Sequence, residues 1–132
     1  MGSGHGVIEY LQAGLRAAGM RQAVIANNIA NASSRAESGV PYRRRQVTLS
    51  TSPEELNGVT VVEVASDFTT AFKTVFDPGH PDASKDGYVL MPNVDLPVEM
   101  MQMVLASRAY QANTAVLKRY QELMDFTLEL LR

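Results

Sequence analysis

Apolar and small residues recur along the first quarter of the chain at Ile8, Leu11, Leu15, Ala18, Gln22, Ile25, Ile29 and Ala32. This three-and-four spacing draws a stripe down a helix of roughly seven turns, broken in polarity only at Gln22. Gly14 and Gly19 each cost about 1 kcal/mol relative to alanine in a helix interior, so the helix is marginal alone, and the glycines admit close approach by a neighbour. The end of the chain carries a stronger signal. One stripe there runs Met100, Met103, Ser107, Tyr110, Thr114, Leu117, Gln121, Met124, Leu128 and Leu131. A second lies beside it: Ala106, Ala109, Asn113, Val116, Tyr120, Leu123, Thr127 and Leu130. Two adjacent stripes make a face too wide for one two-helix seam, so a helix roughly 50 Å long meets more than one neighbour.

Between the two ends the period changes. YRRRQVTLS (42–50), GVTVVEV (58–64), AFKTVF (71–76) and GYVLMP (87–92) are short, rich in β-branched and aromatic residues, and bounded by Pro, Gly, Asp and Asn. Pro41, Pro53, Pro78, Pro81, Pro92 and Pro97 all lie here and outside the helix interiors. The pattern predicts an α+β fold. Two long terminal heptad helices form a coiled-coil-like hairpin, and a small antiparallel β module of about four short strands is inserted between them. The divisions are a flexible leader or cloning remnant at 1–6, an N-terminal helix at 7–34, a linker and β module at 35–95, and a C-terminal helix at 96–132.

Composition narrows the chemistry. A net charge of −2 with 20% charged residues gives no electrostatic basis for nucleic-acid binding, and the absence of cysteine removes disulfides, thiolate metal sites and thiol nucleophiles. No stretch approaches the roughly 20 apolar residues that span a bilayer, and the start of the chain lacks the features of a cleaved secretory signal. His5 and His80 are the only histidines, and His5 sits in the leader, so there is no pair for zinc or a Ser-His relay. Asp77, Asp82 and Asp86 cluster before Gly87 but lack calcium-loop spacing and read as turn residues. Arg43, Arg44 and Arg45 read as the charge-paired surface of a strand. No metal, cofactor, small-molecule substrate or catalytic function is expected.

What remains is interaction. Apolar stripes on both helices exceed what a small β module can cover, so other chains are expected to cover them. Met100, Met101 and Met103 offer adaptable thioethers at the start of the second helix, or simply fill a core. Ser107, Thr114 and Gln121, seven apart, suit polar heptad positions that select register, unless the spacing is accidental. IANNIANASS (25–34) adds Asn27, Asn28 and Asn31. Asparagine is a weak helix former, so these amides either end the helix or fix register against a neighbouring chain.

Three segments carry a resemblance. IANNIANASS is similar to the asparagine-rich box near the N-terminus of bacterial flagellar axial proteins. GVPYRRRQVTL (39–49) and GYVLMPNVDLPVEMMQMVLASRAYQANTAVLK (87–118) resemble proximal rod members of that family, the second including the Tyr110, Gln111 and Asn113 of SRAYQAN. The linker SRAESGV departs from the Gly/Asp-rich one common in the family. The resemblance implies a structural rod subunit, exported by the flagellar type III apparatus without signal cleavage. Its helices would join copies of itself and other proximal rod subunits in a helical tube spanning the periplasm, next to the basal-body membrane ring and the export gate. The stripe residues and amides, from Ile8 to Asn31 and from Met100 to Leu131, would then be the assembly surface. Other rod or hook-type axial proteins, or an unrelated coiled-coil adaptor, are the alternatives.

Overall fold

The computed structural model describes residues 3–35, 39–51 and 59–132. The first two residues of the leader, the middle of the SRAESGV linker, Pro53 and the Gly58 that heads the second predicted strand lie outside the described residues. The order of elements is α1 (Ser3–Ala30), β1 (Arg45–Thr51), β2 (Val59–Ser66), β3 (Lys73–Phe76), β4 (Tyr88–Met91) and α2 (Leu96–Leu130). Helix α1 begins within the glycine-rich leader and stops before Asn31. The strands fall on the predicted segments, each starting one to three residues later, while β1 and β2 run one and two residues farther than expected. They form two separate two-stranded antiparallel sheets, β1-β2 and β3-β4.

Each boundary has a local cause. Asp95, in extended backbone, caps α2 by accepting from the Val98 N–H at 3.3 Å, and Pro97 occupies the first turn, where a missing N–H costs nothing. The β1-β2 register slips between Thr48 and Leu49, because Thr48 pairs with Glu63 and Leu49 with Val61. In the β3-β4 hairpin, Phe76 faces Tyr88 with ring centroids 5.2 Å apart in an edge-on arrangement. The connecting loop closes through Gly87 at φ 81°, where a Cβ would lie 2.9 Å from Phe76 Cε2 and 3.1 Å from Pro78 Cγ.

The helices run antiparallel as a hairpin. Gln22 meets Ser107, Gly14 meets Asn113 and Asn28 meets Glu99. The close approach expected of Gly14 is therefore to a side chain, since a Cβ there would sit 3.1 Å from Asn113 Nδ2. Gly19 faces open space. Sheet β1-β2 lies against α1, whereas β3-β4 touches neither helix through its strands. The buried apolar core is thin: Ala13, Ala17, Val24, Ile25 and Ala106 along the helix seam, with Val89 and Val94 near the β4-α2 joint. Accessible surface totals 9596 Å². A compact monomer of this mass exposes about 6,800 Å², so the subunit leaves far more surface open than its size requires.

Candidate assembly interface

The best-defined constellation is a polar cluster where the β module joins the helices. Asn28 on α1 is 1% exposed, and its amide is fully used. Its Nδ2 donates to the Arg45 carbonyl at 2.8 Å and to Glu99 Oε2 at 3.2 Å. Its Oδ1 accepts from the Arg45 N–H and the Tyr42 hydroxyl, both at 2.9 Å. Glu99, in the first turn of α2 and also 1% exposed, accepts from the Arg44 guanidinium. Arg44 also faces Asp67 at 3.6 Å, and its backbone N–H donates to Asn93 Oδ1 at 2.6 Å. Asn93 in turn donates to the Asp67 and Thr70 carbonyls. Among the described residues no buried side-chain nitrogen or oxygen lacks a partner. A network completed in this way rigidifies its surroundings, whereas a half-completed one destabilises them.

Two ionisable groups report this environment. The hydroxyls of Thr69 and Thr70, helped by the backbone N–H of Thr70, donate to the Asp67 carboxylate and hold its pKa far below the usual carboxylate range. Burial raises the pKa of Tyr42 and keeps its phenol protonated as the donor Asn28 requires. The arginine triplet does not act as one surface. Arg43 lies over the rings of Phe68 and Phe72 at 4.6 and 4.3 Å, Arg44 turns inward to carboxylates, and Arg45 opens β1. Of the loop aspartates, Asp77 closes backbone turns through His80 and Gly87, and Asp82 pairs with Arg35 at 2.8 Å.

The stripe residues divide by position. Ile25 is buried, and Ile8, Leu11, Leu15, Gln22, Ile29, Met103, Ser107, Asn113 and Leu117 are half-buried along the helix seam. Gln22 donates to Ser107 at 3.0 Å, so the polar breaks in the two stripes meet each other. Thr114 instead bonds the Tyr110 carbonyl of its own helix. Asn27, Met100, Tyr110, Gln111, Thr114, Gln121, Met124, Leu128 and Leu131 are exposed. Asn31 follows the last residue of α1 and donates to the Asn27 carbonyl at 2.9 Å, which secures the helix end. The structure thus brings Asn28 and Glu99 together inside the subunit and leaves Asn27 outside.

Tyr42, Arg44, Asp67, Asn93 and Glu99 are cluster members that the apolar patterning does not reveal. A signal for Glu99 exists: stepping back seven residues from Ala106 along the inner stripe lands on it. Asp67, followed by Thr69 and Thr70, carries the signature of a side-chain-capped turn.

Residues 85–130 match the family model described as flagellar basal body rod FlgEFG protein C-terminal. Over 120 residues the chain is 42% identical to the flagellar basal-body rod protein FlgC of Yersinia enterocolitica, covering 88% of this chain and 89% of that one. It is 36% identical to that of Borreliella burgdorferi, with 95% of each covered. To that of Bacillus subtilis it is 33% identical, with 88% and 90% covered. Near-complete coverage of relatives from distant bacteria, joined to a helix-module-helix architecture with open helical faces, shows that the chain belongs to the FlgC family of flagellar basal-body rod proteins.

Proposed function

We propose that the protein is a structural subunit of the proximal flagellar rod, assembling through its terminal helices into the shaft that carries motor torque across the periplasm. The observation that carries this reading, beyond family membership, is the exposed apolar surface of α2. Met100, Met101, Val104, Leu105, Leu123, Phe126, Leu128, Leu130 and Leu131 are each more than half exposed, and no described part of the subunit covers them. Such a surface is stable in water only against other chains. Its occupants are further copies and other proximal rod subunits, seated next to the membrane ring and export gate. The chain reaches that place through the flagellar type III apparatus with its N-terminus uncleaved, and it catalyses nothing. Within this reading Asn27 faces neighbours and selects register. Asn28 cannot, because all its bonds are made at home.

The test is electron microscopy of basal bodies from a deletion strain. The expected image is a membrane ring without a rod, restored by expressing this chain. Normal rods in the deletion strain would overturn the assignment. Asn27→Leu combined with Asn31→Leu should leave secretion intact and give unstable rods, and normal motility would show that these amides only finish a helix.

A further inference from the structure

The β3-β4 hairpin stands apart from the rest of the subunit. Among the described residues its strands pack against each other and against no helix or other strand. All four residues of β3 are exposed, as are Tyr88 and Leu90 of β4. The base is different. Val89, Pro92, Asn93 and Val94 are buried where the hairpin meets the body. There the amide of Asn93 joins three stretches of backbone. Its Oδ1 accepts from the Arg44 N–H at 2.6 Å, just ahead of β1, and its Nδ2 donates to the carbonyls of Asp67 at 3.1 Å and Thr70 at 3.0 Å, in the turn that leads into β3. The segment leaving the hairpin is thereby tied to the turn that enters it, and both are tied to the body. Near the tip one described ion pair reaches back, from Asp82 to Arg35 beyond α1 at 2.8 Å.

We infer that the β3-β4 hairpin is an arm hinged at its base, and that Asn93 is the positioning residue that fixes its direction. The Arg35–Asp82 pair is a weaker stay near the tip. Burial sets the ranking. Asn93 is 3% exposed, so removing its amide leaves backbone groups of Arg44, Asp67 and Thr70 without their partner. Arg35 and Asp82 have side chains 61% and 33% exposed, and water both screens their attraction and competes for it. Length adds leverage: β3 alone extends roughly 13 Å, so a small rotation at the base becomes a large displacement at the tip. What the arm carries makes its direction matter. Phe76, Tyr88 and Leu90 share the face opposite Val89 and are 63%, 48% and 50% exposed, an apolar surface separate from the terminal helices. The inference concerns the single folded chain and does not depend on the rod reading.

The cysteine-free sequence makes the arm directly testable with nitroxide labels. Lys85→Cys marks the tip and Ala23→Cys marks α1, both exposed positions, and a second pair, Ala23→Cys with Gln111→Cys, reports the two helices alone. Excess unlabelled chain keeps the measured distances within one subunit. The tip-to-helix pair should give one narrow distance distribution, and Asn93→Ala should roughly double its width while leaving the helix-to-helix pair unchanged. Arg35→Ala alone should broaden the tip distance less than Asn93→Ala does. Three results would overturn the inference. They are an unchanged tip distribution in Asn93→Ala, equal broadening of both label pairs, which marks a general loosening, and broadening by Arg35→Ala as large as that by Asn93→Ala. If Asn93→Ala does not fold, Asn93→Asp decides the matter. It keeps an acceptor for the Arg44 N–H and loses the donors to Asp67 and Thr70, so the tip distribution should widen, and an unchanged width would again overturn the arm.

Discussion

Three asparagines within five residues do three different things. Asn28 completes a buried network, Asn31 secures the end of a helix and Asn27 lies in the open. Asn28→Ala would strip partners from the Arg45 backbone, the Tyr42 hydroxyl and Glu99 together, at a cost of about 3 kcal/mol, whereas Asn27→Ala should change stability by less than about 0.5 kcal/mol. Urea unfolding of the two variants checks this, and equal midpoints would contradict the network. Asp67 gives the cluster a pH dependence. Its folded pKa is depressed, so its contribution is fully present above the unfolded value of about 3.9 and is lost as pH falls toward the folded one. The stability gap between wild type and Asp67→Asn should narrow progressively below about pH 4. The sequence marked the asparagines as special but could not say which faced inward. That choice depends on where the chain returns after the linker, and Tyr42 and Arg44 are set by that return.

Elements were more legible than residues. Both helices follow from three-and-four spacing, and the four strands from short β-branched runs between turn residues. The pairing into two sheets was not legible, because short strands with open edges carry no signal for partner choice beyond the turns that join them. The meeting of Gln22 and Ser107 could have been read, since each is a polar break in an apolar stripe. Two glycines test the element-level account in opposite directions. Gly19 faces open space within α1, so Gly19→Ala should stabilise the helix by about 0.5 to 1 kcal/mol. At Gly87 the backbone has φ 81° and no room for a methyl group, so Gly87→Ala should destabilise the β3-β4 hairpin by about 1 to 3 kcal/mol. Thermal melting that moved in the same direction for both would refute this account.

At the scale of the molecule, the excess of accessible surface means that the isolated subunit is an incomplete structure. Amide exchange should therefore be graded along α2. Protection should be greatest near Glu99 and Ala106, which are buried, and least beyond Met124, where every residue is exposed. Uniform protection along the helix would argue against an open tail. Leu117, half-buried on the seam opposite α1, marks the transition. Leu117→Asp should cost about 2 kcal/mol in the free subunit and abolish assembly, checked by unfolding and by swimming in soft agar. The expectation that other chains cover the helices followed from stripe width alone.

The polar cluster also sets an order of events. Asn28, Arg44 and Asp67 leave the ribosome well before Glu99, and the Asn28–Glu99 bond spans 71 residues of sequence. Until Glu99 emerges, Arg44 lacks its innermost counter-ion and Asn28 one of its four bonds, so the network that ties the module to both helices is incomplete. Long-range closure of this kind is slow, and it makes the arriving C-terminal helix the step that commits the chain to its fold. An unfinished chain therefore lacks the clasp between its two ends, which closes only when the first turn of α2 has arrived.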